Sequence, residues 1–138
     1  MEYIELTSGD ISGLKPLHAA YKREIGEDVP SDEDFERLAA AMRAGRIRFF
    51  GCAAEGALVG ICSIAPTFST FNYGPAGVFE DFYIVPDHRH RGIARQLVAF
   101  AAKESGAQSL TVGCADCDVE MYRALGFSTP LGNMLAYG

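Results

Sequence analysis

The chain has no run of about 18 consecutive apolar residues, the length a helix needs to cross a membrane, and Met1-Glu2-Tyr3 lacks the basic-then-apolar start of a secretory leader. Both absences lead to the expectation of a soluble, cytoplasmic protein with no membrane partner. Basic residues are also scarce, 12 Lys and Arg against 18 Asp and Glu, for a formal net charge of -6. Neutralising a nucleic-acid backbone takes a broad basic surface, so no nucleic-acid partner is expected. No G-x-x-x-x-G-K-[ST] stretch occurs, which excludes a Walker-type nucleotide site. Repeats, linkers and low-complexity tracts are missing too. What is there, 138 residues with 49% hydrophobic content, suits a single domain over 1-138 with a sizeable core.

Metal-ligand patterns are thin. Cys114-x-x-Cys117 is one half of a zinc pattern, but Cys52 and Cys62 do not supply the other half, and no His stands at ligand spacing. With Glu55-Gly56 as a two-residue hairpin turn, Cys52 would face Val59 and Cys62 would face Phe49, so those two thiols are not opposite each other. The expectation is small buried thiols in a reducing compartment, with no metal.

Taken in order, Tyr3-Ile4-Glu5-Leu6 reads as a first strand. Leu14, Leu17, His18, Tyr21 and Ile25 recur at helical spacing up to Gly26, with Pro16 expected in the first turn or before a late start. Ser31 and Asp34 form a capping-box pattern ahead of Phe35, Leu38, Ala39 and Met42, one apolar helix face. Seven carboxylates and no Lys or Arg lie between Glu24 and Glu36. Such a run is either a solvated face with helix-start acids or an electronegative wall that draws in a cation.

Ile47 to Ala54 and Ala57 to Ala65 read as a β-hairpin. Pro66 to Pro75, with Phe68, Phe71 and Tyr73, reads as an aromatic loop that either shapes a pocket or caps the sheet. Later come a short strand Ser109–Val112, a brief helix capped by Asp116 through Ala124, and a hairpin of Phe127 and Met134-Leu135-Ala136-Tyr137 around Pro130-Leu131-Gly132-Asn133. The order β-α-α-β-β-β-α-β-α-β-β predicts an α/β fold, a mixed six- to seven-stranded sheet with helices on both faces.

The most informative stretch is Gly77 to Ala102. An apolar strand, Val78 to Val85, breaks at Pro86-Asp87 into a basic loop, and a helix follows with Ile93, Leu97, Val98 and Ala101 at helical spacing. Such a helix start offers unpaired N–H groups and a positive dipole end, and Arg89, Arg91 and Arg95 add charge around it. Gly92 lets the backbone approach a ligand closely, and Ala94 stays small. A pyrophosphate matches that description.

Arg89-x-x-Gly92-x-Ala94 after a strand resembles the Q/R-x-x-G-x-G/A signature of the GNAT N-acetyltransferases. Glu80-Asp81-Phe82-Tyr83-Ile84-Val85 is similar to the family's fourth strand, and Tyr122-Arg123-Ala124-Leu125-Gly126-Phe127 to its Y-x-x-x-G-F element. The resemblance implies a GNAT-like fold and acetyl-CoA as co-substrate. It also implies a small-molecule amine acceptor, direct transfer in a ternary complex, and a homodimer as the assembly to expect.

Residue by residue, it implies that Phe82, Tyr83 and Ile84 pair with the pantetheine arm, as a peptide adds to a sheet edge. Arg89, His90, Arg91, Gly92, Ile93, Ala94 and Arg95 would hold the pyrophosphate. It makes Glu80 the general base and Tyr122 the general acid at the coenzyme sulfur, with the N–H of Ile84 or its neighbour facing the oxyanion. Glu80 and Asp81 should lie on opposite strand faces, so only one enters the cleft.

Where many members carry an Asn, Ala115 stands here. His88 and His90 are expected as exposed loop residues with no proton-transfer role. Glu80-Asp81-Phe82-Tyr83 after the Phe-Ser-Thr-Phe loop resembles the polyamine (spermidine/spermine-type) branch, which with the acidic run implies a di- or polyamine or a basic amino acid. A non-catalytic acyl-CoA-binding module and a protein N-terminal or lysine acetyltransferase are the alternatives.

Overall fold

The computed structural model describes all 138 residues, Met1–Gly138. A five-stranded sheet forms its middle, in the order β1 (Glu2–Leu6), β2 (Arg48–Ala54), β3 (Ala57–Ser69), β4 (Gly74–Ile84) and β5 (Ser109–Val112). The first four strands run antiparallel, and β5 joins β4 in parallel. Helices α1 (Ile11–Glu24) and α2 (Asp32–Arg43) precede β2, while α3 (Ile93–Ser105) links β4 to β5 and α4 (Val119–Ala124) follows β5.

Alternation along the strands divides the core in two. On one face Phe50, Cys62, Ile64 and Phe79 pack against Ile93, Leu97, Val98 and Ala101 of α3. On the other, Phe49 and Ile61 meet Leu6 and Leu14 of α1, with Leu38 and Met42 of α2 alongside. Helices on both faces follow from that division, as the element order predicts.

Several local expectations need correction. Pro16 sits inside α1, not at its start. Its ring removes the helical bond to the Ser12 carbonyl, but both residues lie on the exposed side, where water can satisfy that oxygen, while Leu14, His18 and Ala19 anchor the buried side. The capping box of Ser31 and Asp34 forms as its spacing requires. Asp116 makes no cap bond and opens a 3-10 turn, Asp116–Asp118, ahead of α4.

The stretch from Pro66 to Pro75 is not a loop. β3 extends to Ser69 and β4 starts at Gly74, so Phe68, Phe71 and Tyr73 ride on the tip of a long hairpin, exposed to solvent. Pro66 is accommodated in β3 because β2 reaches only to the Arg48↔Ile64 pair, leaving its side of β3 without a ladder partner. A register shift at Cys52/Ala53 also moves the cysteines: Cys52 pairs with Gly60 and Cys62 with Phe50. Cys52 and Cys62 are buried, which pushes both thiols up in pKa, whereas Cys114 and Cys117 are exposed, contrary to expectation.

Finally, the sheet has five strands, not six or seven. Nothing after Ala124 joins it: Phe127 packs on Phe79 at a centroid distance of 5.3 Å, but Leu131, Met134, Leu135 and Tyr137 are exposed. A strand needs a ladder partner and a face to bury, and this segment has neither within the chain. Phe79 ties both helices of the site to the sheet, and it is 1% exposed. Phe79→Ala is expected to destabilise the fold by about 3–5 kcal/mol, read as a lower urea midpoint at unchanged m-value.

Candidate active site

The site is created by a parting of strands. β4 and β5 pair from Ala76↔Ser109 to Phe79↔Val112, and no pairing follows. From Glu80 to Ile84 one edge of β4 is therefore open. The Val85 N–H donates to the Val59 carbonyl at 2.9 Å on the β3 side. Since antiparallel bonds alternate in direction, Phe82 and Ile84 turn their N–H and C=O groups to the open edge. That edge lines a cleft of about 1210 Å³, bounded by α1, the loop before α3, and the segment from Gly113 through α4.

The far end of the cleft is the start of α3. Gly92 is its N-cap at φ 79, in the left-handed region, and no heavy atom lies within 4 Å of where a Cβ would stand. No side chain caps this end, so its amides and the positive dipole end face the cleft. His90 is also left-handed, at φ 62. This turn is the one at which the sequence leads to the expectation of a pyrophosphate.

The three arginines are not equivalent, which the sequence did not disclose. Arg89 holds Glu24 of α1 through two nitrogens, each at 2.9 Å, donates from Nε to the Ile84 carbonyl at 2.7 Å, and lies over the Tyr83 ring at 5.3 Å. Arg95 donates to the Ala124 carbonyl at 2.8 Å, tying α3 to the end of α4. Both guanidinium groups are struts. Arg91 and Arg95 are both exposed and belong to no ion pair, and of the two only Arg95 lines the cleft. Ile93 is buried in the core, and contributes to the cradle only through its backbone.

Glu80 is exposed and lines the cleft; Asp81 does not line it and bonds instead with Ser63 on the α1 side. Tyr122 faces the cleft from α4, its ring held against Phe79 at 6.3 Å, Phe82 at 6.4 Å and Phe127 at 5.9 Å. Burial, with the negative charge of Asp118 second, pushes its hydroxyl up to about 12, so it holds its proton at any ordinary pH. Tyr83 packs on the other face, against the Leu6 and Ile61 cluster, and still contributes to the cleft lining. Of the two loop histidines His90 is exposed, while His88 is half-buried with its Nδ1 enclosed and unpartnered, a correction to the expectation for that ring.

The acidic run also resolves differently. Glu24 is held by Arg89, Glu27 by Lys22 at 2.7 Å, and Asp34 by its cap and by Arg37 at 2.8 Å. Glu27, Asp28 and Asp34 border a separate hollow of about 910 Å³ between α1 and α2. Glu24 alone of the seven lines the cleft. Sequence reasoning missed Tyr21, which lines the cleft one turn before Glu24 and whose hydroxyl burial also pushes up to about 12. Its place at i, i+3 from Glu24 was the available signal. Ala115 lines the cleft with Cys114 and offers no side-chain hydrogen bond where an Asn was expected.

The model of the acetyltransferase (GNAT) domain matches residues 45–129, a span from just before β2 to just beyond Phe127. No curated protein matches the chain. Among solved structures, a probable acetyltransferase is 20% identical with a TM-score of 0.86, covering 100% of this chain and 99% of its own. A ribosomal-protein-alanine N-acetyltransferase from Brucella melitensis biovar Abortus 2308 is 20% identical, TM-score 0.75, with coverage of 100% and 98%. The aminoglycoside N-acetyltransferase AAC(6')-Iy, solved with CoA, is 18% identical, TM-score 0.80, with coverage of 99% and 93%. These likenesses agree with the observed fold. With the family model matched over most of the chain, and with an open strand edge that runs into an uncapped helix start, this protein belongs to the GNAT family of acetyl-CoA-dependent N-acetyltransferases.

Proposed function

We propose that the enzyme moves the acetyl group of acetyl-CoA to a primary amine of a small cationic acceptor, directly, within a ternary complex. The observation that carries this reading is the convergence of three parts in one cleft: the open edge of β4, the left-handed cradle at Gly92, and the pair Glu80 and Tyr122. The residues fit the coenzyme. Phe82 and Ile84 present the amide donors and acceptors that an amide-bearing arm needs, except that the Ile84 carbonyl is already taken by Arg89. The α3 amides, with Arg95 in the cleft lining and Arg91 next to Gly92, suit the diphosphate. The coenzyme, when bound, supplies the activated acetyl thioester.

The chain's own residues then handle binding and protons. Glu80 accepts a proton from the incoming ammonium group, which must be neutral to attack. Tyr122, protonated throughout the working range, gives its hydroxyl proton to the departing thiolate. The free Ile84 N–H donates to the oxygen on which charge develops. Tyr21 and Glu24 form the α1 side of the cleft; with Glu24 met by Arg89, Glu80 and Asp118 are the carboxylates of the lining outside any ion pair. This supports an acceptor with more than one amine: a di- or polyamine, a basic amino acid, or an amino sugar of the kind the aminoglycoside enzyme takes.

Four measurements test this reading. A thiol-release assay with free amines, aminoglycosides and peptides should give turnover with a small polyamine or amino sugar and none with neutral peptides. Tyr122→Phe should lower kcat by about 10²-fold or more, with coenzyme affinity by calorimetry nearly unchanged. In the wild type, kcat should show no fall from Tyr122 as pH rises until it nears that group's pKa of about 12. Arg91→Glu should weaken coenzyme binding by about tenfold or more, and Gly92→Val should abolish it, because a β-branched residue is strained at positive φ and its methyls fill the cradle.

A further inference from the structure

The bulge in β4 lies at the mouth of the cleft, and it has a partner. Between the register pairs Cys62↔Phe82 and Ile64↔Phe79, β3 contributes Ser63 while β4 contributes both Glu80 and Asp81. An extra residue on one strand costs ladder bonds and leaves its own backbone groups to be satisfied elsewhere. Ser63, 0% exposed, satisfies one of them, the Asp81 N–H, with its hydroxyl. Its Oγ accepts from the Asp81 N–H at 3.0 Å and donates to Asp81 Oδ2 at 2.6 Å. A hydroxyl has one donor and two acceptor sites, so both bonds form together.

The consequence is directional. Ser63 is registered opposite Phe49, whose ring belongs to the α1 face of the sheet. Tying Asp81 to Ser63 commits the Asp81 carboxylate to that face, and Glu80, its neighbour in the bulge, is turned into the cleft. The clamp also lies one residue from Phe82, where the open edge begins to present its amides. A small apolar residue at 63 would fill the same space but leave the Asp81 N–H without an acceptor.

We infer that Ser63 is a positioning residue for acetyl transfer: through its two bonds to Asp81 it locks the Glu80–Asp81 bulge and so fixes the direction of the Glu80 carboxylate. This rests on the reading of Glu80 as the proton acceptor. Ser63 touches neither coenzyme nor acceptor and acts only through β4.

Ser63→Ala and Ser63→Thr, with Asp81→Ala as a second route to the same break, test it in the full chain. In Ser63→Ala the Asp81 amide should exchange with solvent about tenfold faster or more by NMR, and kcat should fall about tenfold or more while the KM for acetyl-CoA stays within about twofold. Ser63→Thr, which keeps the hydroxyl, should restore both. Asp81→Ala should reproduce the loss of kcat even if Ser63→Ala folds poorly. An unchanged kcat in a folded variant, or Asp81 exchange at the wild-type rate, overturns the inference. Should the wild type turn over no amine at all, the acetyl-transfer reading falls by itself. The positioning is then decided by the Glu80 side-chain carboxyl shift in 13C NMR: displaced in Ser63→Ala it stands, identical to wild type it fails.

Discussion

Everything at the site depends on β4 losing its neighbour. For four residue pairs, Ala76–Phe79 with Ser109–Val112, β4 is an interior strand; after Phe79 it becomes an edge. An interior strand spends its N–H and C=O groups on both sides and cannot bind a ligand by its backbone. An edge strand is ordinarily a liability, a template for unwanted pairing. Here it is flanked by α1, α4 and the loop into α3, which with it line one cleft.

Charge is organised around that opening rather than across the whole surface. Against a net charge of -6, the start of α3 turns uncapped amides and a positive dipole end to the cleft. Two of the three nearby arginines also act as links: Arg89 ties α1 to β4, and Arg95, still in the cleft lining, ties α3 to α4. Arg89 is the more consequential. Its bonds to Glu24 and to the Ile84 carbonyl join α1 to the open edge of β4. A motif residue that resembles a phosphate ligand is here a brace between the two halves of the site.

The polar interior follows the same logic. Buried polar groups survive where each finds a partner, and the Ser63–Asp81 pair does so at the irregular point of β4. Tyr122 is fixed by apolar packing, its ring among Phe79, Phe82 and Phe127. The same packing withdraws its hydroxyl from water and keeps it protonated. Neither arrangement has a local sequence signature, because each joins strands or helices far apart in the chain.

The sequence by itself determined the parts whose cause is local: the Ser31 capping box, the apolar faces of α2 and α3, the Glu55-Gly56 turn, and the strand, glycine and helix start that announce an anion cradle. Periodicity, capping and backbone conformation act within a few residues, so they can be read there. Only the tertiary structure decided which residues share the cleft, that Glu24 takes Arg89 and Ser63 takes Asp81, that Cys52 meets Gly60 through a shifted register, and that the last segment stays off the sheet. Those outcomes depend on which distant surfaces meet and which backbone edges find partners, and pairing between remote segments leaves no periodic trace in either one.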